Sequence, residues 1–409
     1  MNKIIVMLVI SCFAWPTFAQ SNAVDHAKIK EALDDVIDNL EYQYAYKDEK
    51  KIDFECIRTQ YTSKIKEVNN IVETVLLFEF LLDEFYDNHL ILRTNTNSSY
   101  RLYAPVYASL INGEPTIVNV WQTQIQNPPK GIIGAQITKF NGLAFDKAID
   151  AFPTHCHDKN DPEIREWIIN KILSGRYDQP RILTLRSSNG EEFELDLDKI
   201  KLKDNNGYLS ARTVNNIGII RINNSLGIDD LVKEFDQTLD GLSQTEGLVL
   251  DLRNTIFGGD TYEARGIMGR FVNESSPYQK HSLIEKSNNN PNIERSWIEY
   301  VSPRLTQYEK PVIVLVGRWT GSMGEGLAIG FEGMERGVVM GTEMRRLAGE
   351  VFDFNIKNQP FGYKLSDTKL FHVNGTPREK YVPTHYVKQT TIEKDEALEE
   401  ALALIKKLK

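Results

Sequence analysis

Apolar residues along this chain fall into three successive patterns. From about Val24 to Asp87 the spacing is helical: Val24, Ile29, Leu33, Val36, Ile37 and Leu40 share one face, and Ile71–Phe85 (IVETVLLFEFLLDEF) is apolar enough for a deeper helix. The pattern turns strand-like at Leu90-Ile91-Leu92. Between Tyr100 and Asp198 it becomes short and alternating, with strands expected at Val106–Leu110, Thr116–Val120, Ile182–Leu185 and Glu192–Leu197. Asn141-Gly142 and Ser188-Asn189-Gly190 mark turns there, and helices are expected over Ala144–Phe152 and Pro162–Leu173. From Gly207 onward strands alternate with helices: Ile217–Ile222, Ile228–Leu239, Gly247–Leu252, Thr261–Phe271, Val312–Gly317, a helix opening at Ser322, and Val338–Gly341. Such alternation builds a sheet covered on both faces, with its active edge at the carboxyl ends of the strands. Asn273–Leu305 is polar and asparagine-rich and reads as a loop or short hairpin near a cleft. The closing helix Glu393–Leu408 carries an apolar stripe suited to packing.

Two strand ends carry candidate chemistry. The buried run Val312–Gly317 breaks at Arg318–Gly321, and Ser322 stands at the hinge to a helix whose first N–H groups, on Met323 and Gly324, are free to meet negative charge. Thr320 stands where a G-x-S-x-G elbow has its first glycine, so a plain N-cap serine remains an equal reading. The second run, GLVLDL, leads through Arg253 and Asn254 to Phe257-Gly258-Gly259-Asp260, where glycines let the backbone approach a ligand. Both ends can serve one oxyanion. His89 at the helix-to-strand junction is either a structural histidine or a base, and His155-Cys156-His157 is a polar loop or the start of a zinc site short of ligands.

Length and charge narrow the field. The chain has 409 residues, enough for two or three domains, and 57 acidic against 48 basic residues give a net charge of -9, which argues against nucleic acid as a partner. Met1–Ala19 reads as an export signal: Lys3, a short apolar core, and a small-x-small site ending at Ala19. A lipoprotein-type cleavage before Cys12 is the other processing route, so the mature chain is expected to be periplasmic or secreted, or tethered by lipid. No later stretch supplies the roughly 20 apolar residues of a spanning helix. Cys56 and Cys156 then remain, either bridged or as two free thiols.

Three segments taken together, LVLDLRNTIFGGD at Leu248–Asp260, GRWTGSMGEGLAIGF at Gly317–Phe331 and VNGTPREKYVP at Val373–Pro383, resemble peptidase family S41, the C-terminal processing and tricorn-like proteases with their retinoid-binding-protein-like relatives. The resemblance implies an α/β fold with a ClpP/crotonase-like catalytic core at 207–409, after a signal peptide (1–19), a helical N-terminal region (20–99) and a PDZ-like β-rich module (100–200). GIIGAQITKFNGLAFDKAIDAF resembles the heart of a PDZ domain, without a clean carboxylate-binding loop. FYDNHLILRTN is similar to the family's D-x-H-T/S-x-L segment, which makes His89 the implied base, with Asn88 where the tricorn-like branch carries a supporting serine. In the processing-protease branch a lysine serves as base, and Leu347 falls at its place; the neighbouring Arg345 and Arg346 stay protonated and read as a solvated basic pair or as partners for a substrate carboxylate. Glu379 is the implied acid, in a segment where Val382 and Thr384 depart from the family pattern.

What the resemblance implies is a serine endopeptidase acting on peptides or unfolded proteins. Ser322 attacks, His89 moves the proton, Glu379 orients the network, and Met323 N–H with that of Gly258 or Gly259 forms the oxyanion hole. Glu325 caps the first turn of the serine helix. No cofactor or metal is implied, and homo-oligomerisation is left open. The competing reading is an exported, catalytically silent relative that binds peptides or hydrophobic ligands. An ester hydrolase with the order Ser322, Glu379, His385 lacks the strong elbow it would need.

Overall fold

The computed structural model describes residues 24–204 and 207–408. The expected export signal and Cys12 lie outside them.

A six-stranded sheet forms the centre of the C-terminal half, in the order His385–Tyr386, Val338–Gly341, Val312–Val316, Leu248–Asn254, Ile217–Asn223, Leu209–Val214. All neighbours are parallel except the last pair. Parallel strands are covered on both faces and so read as continuous apolar runs. Val312–Val316 is buried throughout, with Val312, Val314 and Val316 in one core and Ile313 and Leu315 in the other. Helices Leu231–Gly241, Thr261–Met268 and Met323–Gly333 cover the first face, and Glu396–Lys407 covers the second through Leu398, Ala401 and Ile405. That last helix is anchored by charge as well. Asp395 caps it and takes both ends of the Arg253 guanidinium at 2.7 and 2.9 Å. Arg253 also reaches the fully buried Asp251, as does Arg221. Burial opposes ionisation of Asp251, but the two guanidinium groups outweigh it and hold the carboxyl well below its usual range.

A second, antiparallel sheet runs Val106–Ile111, Glu114–Val120, Gln136–Phe140, Ile182–Arg186, Glu192–Asp196, and packs with helices Phe145–Asp150 and Pro162–Ser174 in a core of its own. This β-rich module sits on the carboxyl ends of the central strands. Trp121 stacks on Trp319 with centroids 5.4 Å apart, and each indole donates across the junction, Trp121 to Arg253 O and Trp319 to Ala104 O, both at 3.0 Å.

The third sheet was not legible as such. Ile91–Leu92, Gly362–Phe371, Ser276–Glu285 and Ile293–Val301 pair in that order, with Glu350–Asn355 also on Gly362–Phe371. The polar 273–305 stretch is therefore a long hairpin of ten- and nine-residue strands. Its second strand is mostly exposed, so no buried row of side chains marked the period. Helices His26–Gln43, Phe54–Lys64 and Ile71–Asp83 share a core with this sheet through Phe361, Tyr363 and Leu365. The helical pattern breaks between Gln43 and Phe54, where Tyr44 and Tyr46 turn inward. Cys56 and Cys156 are bridged, joining the helical region to the β-rich module.

Candidate active site

Ser322 follows the central strand in a conformation that L-residues avoid, φ 50° and ψ -117°. Holding a serine there costs on the order of 1–3 kcal/mol, which the surroundings must offset. Thr320, fully buried, donates its hydroxyl to Leu252 O at 3.0 Å and accepts Gly317 N–H at 3.1 Å, tying the two strand ends together. That is a task glycine could not perform, and it accounts for the departure from the G-x-S-x-G pattern. Glu325 accepts the Ser322 N–H at 2.8 Å.

The second strand end lies against the first. A Cβ on Gly258 would fall 2.3 Å from Ser322 Cβ and 2.9 Å from both Ser322 Oγ and Met323 N, so only glycine fits. Gly259 faces elsewhere, since its Cβ would meet Gly227 N at 2.3 Å. Gly258 O accepts from Leu226 N at 2.5 Å, and Phe257 N–H donates to Asn224 O at 2.9 Å. Among the described residues the Gly258 and Met323 N–H groups have no acceptor.

His89 is buried in a turn shaped by Asp87, whose Oδ1 accepts the His89 N–H at 2.8 Å and whose Oδ2 accepts the Tyr44 hydroxyl at 2.8 Å. The imidazole Nδ1 lies 2.8 Å from Ala348 O. A carbonyl only accepts, so Nδ1 carries the proton and Nε2 is left as the basic nitrogen. Burial, then the nearby Arg378 guanidinium, lowers the ring's pKa from 6.5 to about 3, with a smaller push from Arg345. A pKa depressed in the fold means that acid protonates the unfolded chain first, so this contribution to stability is lost as pH falls below 6.5. Between pH 7 and pH 5 the protein should lose about 2 kcal/mol more stability than the His89→Asn variant. Urea unfolding of both proteins at the two pH values measures this; identical losses would mean that the ring titrates normally.

One segment touches both partners. Glu325, fully buried, accepts Arg346 N–H at 2.8 Å and Leu347 N–H at 3.2 Å as well as Ser322 N–H, and the next residue, Ala348, holds His89. Burial raises the Glu325 carboxyl to about 7 against the opposing pull of Arg378 and the three N–H groups. Arg378 braces the segment from the other side, donating to Leu347 O at 3.1 Å and Gly349 O at 2.8 Å. Glu379 accepts from the Tyr46 hydroxyl at 3.4 Å, and burial raises its pKa. Among the described residues no hydrogen bond joins His89 to Ser322, and Glu379 makes no ion pair with His89. Ser322, Met323 and Gly258 are thus brought together, while His89 is held by Ala348 and Glu379 by Tyr46, with no hydrogen bond to them among the described residues.

Comparison with known proteins places this arrangement. The sequence model of peptidase family S41 matches residues 216–383, the stretch that holds Gly258, Ser322 and Glu379. This stretch is a peptidase family S41 domain. Among solved structures the chain shares the fold of mature CPAF complexed with lactacystin (14% identity, TM-score 0.61, covering 93% of this chain and 97% of that one). It also shares that of a putative peptidase from Parabacteroides merdae ATCC 43184 (17%, 0.57, 93% and 97%) and of the photosystem II D1 C-terminal processing protease (14%, 0.52, 93% and 96%). No curated protein gives a significant match. The S41 domain supports peptidase function, and among the described residues no helix is long and apolar enough to cross a membrane.

The S41 domain opens onto a cavity of about 1020 Å³, walled by Trp319, Arg345 and Ala348 from the domain, by Tyr107 and Trp167 from the β-rich module, and by Asp87, two residues before His89. Sequence reading missed several of its parts. Arg345 is not in a solvated pair: its guanidinium donates to Ile256 O at 3.0 Å and Leu102 O at 2.8 Å, whereas Arg346 is exposed and reaches Glu343. Arg378 gave no signal beyond lying next to Glu379. Asp87 could have been found, because an aspartate two residues before a histidine at a helix end is an Asx-turn pattern.

Proposed function

We propose that the protein is an exported serine endopeptidase, with a helical region at 20–99, a PDZ-like module at 100–200 and a catalytic core at 207–409. The observation that carries this is the strained Ser322 packed on Gly258, with the Gly258 and Met323 N–H groups lacking an acceptor among the described residues. Such donors, fixed before substrate arrives, stabilise a tetrahedral oxyanion without reorganising. Gly258 is preferred to Gly259 as donor because it is the glycine in contact with Ser322.

In the reaction, His89 Nε2 takes the Ser322 Oγ proton as Oγ attacks the peptide carbonyl carbon. The C–N bond breaks, and the proton passes from His89 to the leaving amine. Water, deprotonated by His89, then cleaves the acyl ester and the proton returns to Ser322. The base must come within hydrogen-bonding reach of Oγ, and catalytic hydrogen bonds often tighten only with substrate bound. Glu379 acts from the Tyr46 side of the cavity by stabilising positive charge on the imidazole. The Cys56–Cys156 bridge agrees with an oxidising compartment.

Labelling the mature protein with a fluorophosphonate probe, followed by peptide mapping, tests the reading. Modification at Ser322 is the expected result. That no hydrogen bond joins His89 to Ser322 among the described residues favours one rival, the silent binding protein. That rival predicts no labelling while peptides or hydrophobic ligands still bind.

A further inference from the structure

Arg345 sends three hydrogen bonds to three parts of the molecule. Its backbone N–H donates to Thr320 O at 3.0 Å in the nucleophile turn. One end of the guanidinium donates to Ile256 O at 3.0 Å, in the turn that carries Gly258, and the other donates to Leu102 O at 2.8 Å, where the chain enters the β-rich module. Packing there is close. A Cβ on Gly321 would lie 2.6 Å from Ile256 O and 3.2 Å from Arg345 Cδ.

These bonds matter because of the peptide they frame. The Ile256–Phe257 peptide is held at both ends, its carbonyl by Arg345 and its N–H by Asn224 O. The Gly258 carbonyl is held by Leu226 N–H and, at 3.2 Å, by the Ser225 hydroxyl. Between them lies the Phe257–Gly258 peptide, whose N–H is the proposed oxyanion donor. Its orientation is set by its pinned neighbours, and on the upstream side the pin is a side chain that also grips the module. A guanidinium has donors in a rigid fork and can span two carbonyls, which a single ammonium cannot do with the same geometry.

We propose that Arg345 is a positioning residue that couples the seating of the β-rich module to the oxyanion turn, so that displacing Leu102 loosens the Gly258 N–H and slows acyl transfer. The proposal rests on the peptidase reading and adds a control point to it.

Arg345→Ala and Arg345→Lys test this in the full mature chain. For Arg345→Ala, kcat should fall about 10- to 100-fold with KM within about twofold, because a misplaced donor costs the transition state and not the ground state. Arg345→Lys should recover only part of the loss, and added guanidinium ion should partly rescue Arg345→Ala. Hydrogen exchange at residues 255–259 should quicken in Arg345→Ala while residues 312–316 exchange as in wild type. The exchange measurement needs no activity, so it separates failure of the coupling from failure of the peptidase reading. Should Arg345→Ala not fold, Arg345→Lys carries the same readouts. Wild-type exchange at 255–259 in a folded variant overturns the proposal, and so does a loss confined to KM.

Discussion

Ser322→Ala is expected to abolish fluorophosphonate labelling and to lower peptide hydrolysis by about 10⁴- to 10⁶-fold, the range seen when a serine nucleophile is removed. The substitution removes one oxygen from a site whose backbone is fixed from outside, by Glu325 and by the Thr320 tie, so the fold should be retained. Alanine still carries the cost of φ 50°, and thermal stability should stay close to wild type. His89→Ala should cost as much, and the double variant no more than either single one, because the two groups act as a unit. If the losses multiplied, or if His89→Ala labelled at the wild-type rate, another group would be taking the proton. Glu379→Gln should cost far less, since Glu379 accepts from Tyr46 and does not meet the imidazole.

Gly258→Ala should lower kcat/KM by about 10²- to 10³-fold, the cost of losing one oxyanion donor, with the protein still folded. The added methyl would sit 2.3 Å from Ser322 Cβ, an overlap relieved only by moving one turn away from the other. Alanine is also strained at φ 66°, which adds to the pressure to shift. Both effects displace the Gly258 N–H from the Ser322 turn while the central strands stay in place. Gly259→Ala is the informative control. Its methyl would strike Gly227 N and Leu226 C, next to the Leu226 N–H that holds the Gly258 carbonyl, so it should lower the melting temperature and cost less kcat/KM than Gly258→Ala. Steady-state kinetics and melting curves of the two variants decide the matter. If Gly259→Ala lost activity while folded and Gly258→Ala did not, the donor would have been assigned to the wrong glycine.

Much of the fold could be read from periodicity where burial is complete on both sides. Val312–Val316 and the run up to Leu252 stood out because every position from Leu248 to Leu252 and from Val312 to Val316 is buried, and the expected helix over Ile71–Phe85 is found at Ile71–Asp83. Over 273–305 a loop or short hairpin was expected, and the length of the hairpin strands at 276–301 was hidden for the opposite reason, since the outer strand buries little. At the site, Ser322 and Gly258 were legible as strand ends, but their contact was not. Local sequence carries no information about which of two adjacent glycines meets a side chain sixty residues on. Arg345 was misread because an arginine beside another arginine in a polar turn resembles a solvated cation. Its guanidinium is instead tied to two backbone carbonyls supplied by distant segments, Leu102 and Ile256. Two cysteines likewise left bridge and thiols equally open, and only the packing of the helices against the β-rich module brought them together.

That bridge also sorts the site topologically. Cys56 and Cys156 close a covalent ring around the intervening residues, and His89 lies on the ring while Ser322 and Gly258 lie on the tail that leaves it. A single cut anywhere between the two cysteines opens the ring without releasing a piece. The nicked protein would still migrate as one chain until reduced, with His89 and Ser322 on the same covalent molecule.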